Sequence, residues 1–270
     1  MWLHVKDFLP NTDLRNLALA GKASWMPLAS WMRAVGALAT KPRSSRELWR
    51  VKKRAIVVAA QAGDVELVRG LLRLSRTLPA RVFTTTHTGV LDLLLAQRGD
   101  ETREQAMRAT NALASRGNLR LVQWWVCHVG FIAISIAEVG VVAATFGHVA
   151  IVRYLVELGL QPMEHMVVGA SRYGHLAVLK YLHAAGAVHA SYQSLAMAKA
   201  SMNNHVAVLD WWWTLQRIST MPQDAHATQH LEALNWWRLR GLLTADIVRN
   251  GKRQARSLGN KHIVKFYRTS

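Results

Sequence analysis

The stretch ASRYGHLAVLKYLHAAGA, Ala170 to Ala187, decides how this chain is read. Slid upstream, it meets AATFGHVAIVRYLVELGL (Ala143 to Leu160), ALASRGNLRLVQWWVCHVGF (Ala112 to Phe131) and AAQAGDVELVRGLL (Ala59 to Leu72). Downstream it meets ASMNNHVAVLDWWWTL (Ala200 to Leu215), AHATQHLEALNWWRLRGL (Ala225 to Leu242) and ARSLGNKHIVKFY (Ala255 to Tyr267). A degenerate copy, THTGVLDLLLAQRG, starts at Thr86. One column marks the register: Asp64, Asn118, His148, His175, His205, His230 and Asn260. From Asn118 onward it recurs about every 25–30 residues, the period of stacked structural repeats.

Each column has a physical reason. Ala143, Ala170, Ala200, Ala225 and Ala255 place a small residue on a first helix, where a second helix must approach closely. Gly63, Gly117, Gly147, Gly174 and Gly259 then end that helix, because a left-handed backbone costs glycine little. Asn204 and Gln229 stand in for glycine in two copies, Asn being the better suited to that backbone. The marker residue follows and is expected to cap the second helix by bonding its free N–H groups. Apolar residues such as Val178, Leu179 and Leu182 give the second helix one buried stripe. Gly130-Phe131, Gly159-Leu160, Gly186-Ala187 and Gly241-Leu242 read as Schellman endings with their hydrophobic contact.

Register also interprets the tryptophans. Trp211-Trp212 aligns with Trp124-Trp125, Tyr154-Leu155, Tyr181-Leu182, Trp236-Trp237 and Phe266-Tyr267. Adjacent helix positions differ by about 100°, so one member of each pair packs within its copy while the other meets a neighbour. These pairs are read as packing columns, with an aromatic ladder for stacking a ligand as the alternative. Trp213, aligned with Val126, Val156, His183 and Arg238, breaks the pattern and is the candidate exposed partner contact. The marker histidines are read as structural: spaced along an array, they cannot converge on one metal ion.

Composition sets outer bounds. A 270-residue chain that is 51% hydrophobic can bury a continuous core. A single cysteine, Cys127, excludes an internal disulfide framework and points to a reducing cytoplasmic or nuclear setting. The formal charge of +18 favours acidic partners. It is read here as arginines solvated on helix faces, and a nucleic-acid partner is not expected. The most apolar run, Val129 to Gly147, contains Glu138 and follows the repeat register, so no membrane association is expected.

These units resemble ankyrin repeats, in a divergent form where A-x-x-x-G-H-x-x-x-[VL]-x-[YW]-[LW] carries the signal. The resemblance covers roughly residues 51 to 270. It implies a rigid stack of helix pairs that binds other proteins and has no catalytic residues to inherit. T-P-L-H motifs are absent and the units are shorter than is usual, so the β-hairpin fingers of the family are expected to be reduced or missing. Neither a glycine-rich phosphate loop nor a shared pair of carboxylates is found, and no cofactor or metal is expected.

Residues 1–40 do not fit the repeat. Phe8, Leu9, Pro10, Asp13, Leu14, Leu17, Leu19, Lys22 and Trp25 resemble the central part of an F-box, without the L-P that usually opens it. That resemblance implies docking on the adaptor of a cullin-type ubiquitin ligase through Leu9, Pro10, Leu14 and Leu17. A helical cap on the first repeat is the other reading. Residues 41–54 form a basic connector, read as a solvated helix face.

The expectation is an all-α solenoid of about seven or eight ankyrin-like units over residues 55–270, acting as a protein-binding scaffold rather than an enzyme. A ubiquitin-ligase substrate receptor and a basic nucleic-acid-binding solenoid are the alternatives.

Overall fold

A computed structural model describes residues 45–72, 78–130, 134–215 and 228–268, together with 218, 221, 222 and 225. The F-box-like residues Leu9, Pro10, Leu14 and Leu17 lie outside the described residues, as does Phe131. Among those described there are fourteen α-helices, 3-10 backbone at Ala80–Thr84 and at Ala225, and no strand.

The described residues fall into two compact units, 45–110 with 123–130 and 111–122 with 134–268. The first contains α1 (Ser45–Ala62), α2 (Val65–Leu72), the 3-10 helix Ala80–Thr84 and α3 (Thr88–Gln97). Here α1 packs on α2 and on the 3-10 helix, and α2 on α3. Helix α1 begins at Ser45, inside the stretch read as a connector. The helices α4 (Gly99–Ala114) and α5 (Leu119–Val129) follow.

In the second unit the helices come in pairs: α6 (Ile136–Thr145) with α7 (Val149–Glu157), α8 (Glu164–Arg172) with α9 (Leu176–Ala184), and α10 (Ala190–Met202) with α11 (Val206–Leu215). Then come α12 (Leu231–Leu239) and the pair α13 (Ala245–Ser257) and α14 (Lys261–Phe266). The first helices α6, α8 and α10 pack side by side in chain order, and so do the second helices α7, α9, α11 and α12. The residues that make this possible are small. Ala143, Ala170, Ala200 and Ala255 are all fully buried, and the apolar triplets Ile151-Val152-Leu155 and Val178-Leu179-Leu182 fill the space between layers.

The turns follow hydrogen-bond chemistry. In each glycine-bearing turn the marker N–H bonds back to the last turn of the first helix: His148 to the Ala143 carbonyl at 2.9 Å, His175 to Ala170 at 2.8 Å and Asn260 to Ala255 at 2.9 Å. The second helices close in the same way, through Leu160 N–H to the Leu155 carbonyl and Ala187 N–H to Leu182, both at 2.9 Å. These are Schellman bonds, in the places where the sequence pattern put them. Asn204 takes φ 62° without glycine's freedom.

Two features differ from the sequence reading. Asp64, Asn118 and Asn260 do cap their helices, receiving the N–H of Leu67 at 2.9 Å, Leu121 at 3.2 Å and Ile263 at 3.2 Å. The histidines at helix starts do not: His148, His175 and His230 make no side-chain cap. Three histidine rings of the column lie against the previous copy. The ring of His148 lies against Gly117, that of His175 against Gly147 and that of His205 against Gly174. Nε2 of His148 donates to the Ser115 carbonyl at 3.0 Å, and in the first unit His87 repeats the device with Gly63 and the Gln61 carbonyl at 3.1 Å. A carbonyl only accepts, which assigns the proton to Nε2. The glycines therefore serve twice, as helix ends and as floors for a ring.

Gln229 is the second difference, because it is not left-handed. Its copy and the His87 copy use Thr-x-His. Thr228 Oγ1 donates to the Ser201 carbonyl at 2.8 Å and accepts the His230 N–H at 3.2 Å. Thr85 does the same between the Ala60 carbonyl and the His87 N–H. A hydroxyl, both donor and acceptor, replaces the glycine turn.

His205 makes stability depend on pH. Burial is the main cause that holds the His205 imidazole below the ordinary histidine value, and neighbouring His175 and His230 add repulsion. A hydrogen bond to the Arg172 backbone acts the other way. The folded value lies below the unfolded one of 6.5, so the unfolded chain binds more protons. The contribution is complete above that pH and is lost as pH falls through the folded value. Thermal melts should show a lower midpoint at pH 5.5 than at pH 7.5. His205→Asn should shrink that difference, and an equal difference in both chains would show that His205 is not its source.

Candidate protein-binding surface

The paired columns settle which aromatic side chains face inward. The second member of each pair is buried: Trp125, Leu155, Leu182, Trp212, Trp237 and Tyr267. Two of these tryptophans are tied to the preceding copy, Trp212 Nε1 donating to Ser171 Oγ at 3.2 Å and Trp237 Nε1 to Ser201 Oγ at 2.9 Å. Trp125 lacks this partner: its buried Nε1 has no hydrogen bond among the described residues. Phe83, which has no acceptor, occupies the aligned position in the preceding copy.

The first members lie nearer the edge and meet the preceding second helix. Trp124 Nε1 donates to Asp92 Oδ1 at 3.0 Å, Trp236 Nε1 to Asp210 Oδ1 at 2.6 Å, and Arg153 lies 5.6 Å from the Tyr181 ring centroid. Trp213 is half-buried rather than exposed. Its ring meets Trp236 edge-on at 5.9 Å, and the Arg240 guanidinium lies 5.7 Å from its centroid while covering Trp236 at 3.9 Å. Arg240 is held there by Asp210 at 2.7 Å. With a cation of this chain on the rings, the cluster joins neighbouring copies.

A different row faces solvent. Phe146, Tyr173 and Leu258 are the C-cap residues of α6, α8 and α13, and they are 55%, 48% and 61% exposed. In a Schellman ending the apolar contact is made by the residue after the glycine and one inside the helix. The C-cap side chain is not needed for it, and Asn203 fills the same place on α10. Folding therefore gives no reason for large apolar groups here. Arg172 extends the surface, its guanidinium 5.4 Å from the Tyr173 ring centroid. The sequence reading missed this row, although Phe, Tyr and Leu immediately before Gly147, Gly174 and Gly259 were its signal.

Neither a family model nor a curated protein matches the chain. Among the described residues no helix is long and apolar enough to cross a membrane.

Proposed function

We propose that the chain is a protein-binding scaffold, an ankyrin-type solenoid of helix pairs with reduced hairpins and no catalytic activity of its own. The observation that carries the reading is the row of exposed C-cap side chains at aligned positions in successive copies, Phe146 and Tyr173 foremost. Apolar groups presented from turns that are fixed by Schellman bonds need little ordering on binding, which favours association. Aromatic side chains are also the usual anchors of protein interfaces.

The test is capture of proteins from an extract of the source cells by the full chain and by Phe146→Ser/Tyr173→Ser, with the two chains matched for thermal melting. At least one protein should be held by the first and lost by the second. Identical protein sets would overturn the assignment of this row. The pattern from Phe8 to Trp25 supports a second reading, a ubiquitin-ligase substrate receptor. The same capture with a chain lacking residues 1–25 reads it out, because ligase subunits should then disappear.

A further inference from the structure

The chain's positive charge is not spread evenly. Residues 134–243 carry seven lysines and arginines against six acids, whereas residues 244–268 carry seven against a single acid, Asp246. A general arginine bias would have loaded both alike. The last described helix pair, α13 with α14, is thus a local basic body beside nearly neutral neighbours.

Its geometry makes that charge available. On α13, Ile247, Gly251 and Ala255 are buried, with Gly251 under the Tyr267 ring. Arg249, Arg253 and Arg256 fall on the opposite face at one-turn intervals, and all three are exposed. On α14, Lys261 and Lys265 are exposed one turn apart. Asp246 pairs with Arg249 at 3.3 Å, but both side chains are mostly exposed, and such a pair holds its partners weakly.

We infer that the arginine face of α13 is a docking surface for an acidic peptide segment of a partner protein. The inference rests on the protein-binding reading and supplies the partner's chemistry. Guanidinium forks match carboxylates in a planar, two-bonded geometry, and a stripe of three along one helix face fits a run of Asp and Glu. Nucleic acid fits less well. Single-strand binders combine a basic groove with exposed aromatic rings, but Phe146 and Tyr173 sit on copies of near-neutral charge, and Phe266 at the end of α14 and its C-cap Tyr267 are buried. A membrane surface also fits less well, since interfacial helices turn a whole apolar face to lipid and that of α13 is turned inward.

The experiment titrates the full chain into a labelled Glu/Asp-rich peptide. Its Gln/Asn counterpart, single-stranded and duplex oligonucleotides, and phosphatidylserine vesicles are titrated alongside. The acidic peptide should bind more tightly than every other probe, and its affinity should fall with added salt. Arg249→Glu/Arg253→Glu/Arg256→Glu should weaken it by about tenfold or more. If the triple variant melts abnormally, Arg249→Gln/Arg253→Gln replaces it, with a smaller loss expected in the same direction. Absence of peptide binding, unchanged binding by the variants, or tighter binding to oligonucleotide or vesicle overturns the inference. The scaffold reading fails separately, if the Phe146 and Tyr173 capture yields no difference.

Discussion

Trp212→Ala is expected to lower the stability of the chain by about 3–5 kcal/mol, the range for truncating a buried aromatic side chain. The indole is 2% exposed and lies among Val208 and Leu209 of its own helix and the buried layer between copies. Removing it loses burial and leaves a cavity, because the flanking helices pack on further helices and cannot simply collapse. Ser171, itself fully buried, also loses its Nε1 partner. The reverse change tests that part alone: Ser171→Ala strands the indole N–H and should cost about 1–3 kcal/mol. Trp125 is the internal comparison. Its Nε1 already lacks a partner among the described residues, so Trp125→Phe should cost less than Trp212→Phe. Denaturant titrations give these differences directly. A loss under about 1 kcal/mol for Trp212→Ala would mean that the indole does not fill the core as described.

Gly174→Val should cost about 2–6 kcal/mol, from backbone strain of about 1–3 kcal/mol and overpacking of similar size. The first part arises because Gly174 has φ +79°, a region that β-branched residues avoid. The second arises because a Cβ there would sit 2.5 Å from His205 Nδ1. The imidazole would have to leave the Arg172 backbone group it is bonded to. Two milder variants separate the parts. Gly186 has φ +72° and nothing within 4 Å of a built Cβ, so Gly186→Ala should show only the backbone cost, about 1–2 kcal/mol. Gly174→Ala should exceed it by the cost of displacing the ring. Equal losses at the two sites would remove the histidine from the account.

Much of this architecture was legible because its determinants are local. The helical stripes, the glycines with left-handed backbones and the Schellman bonds from Leu160 and Ala187 each involve residues within a few positions of one another. The marker column was legible as a register, but only its Asp and Asn members act as the pattern suggested. The side-chain oxygens of Asn118 and Asn260 bond their own helices, while the His148 ring bonds the Ser115 carbonyl of the previous copy. The Thr-x-His turns left a signal that a glycine-centred reading passed over, namely Thr85 and Thr228, each two residues before a marker histidine. The serine partners left another. Ser171 and Ser201 lie in the copies that precede Trp212 and Trp237, and alanines lie in the copies that precede Leu155 and Leu182.

By itself the sequence determined the all-helical class, the period and the turn positions, since each follows from backbone preference or from periodicity along one helix. Only the tertiary structure decided where the histidine rings go, that Trp213 is half-buried by Trp236 and Arg240, and that Phe146, Tyr173 and Leu258 face solvent. Those outcomes depend on how one copy sits against the next, across chain separations of two dozen residues or more such as His148 to Ser115. Neither helix propensity nor a hydrophobic period carries that information, because both describe a segment and not its neighbour.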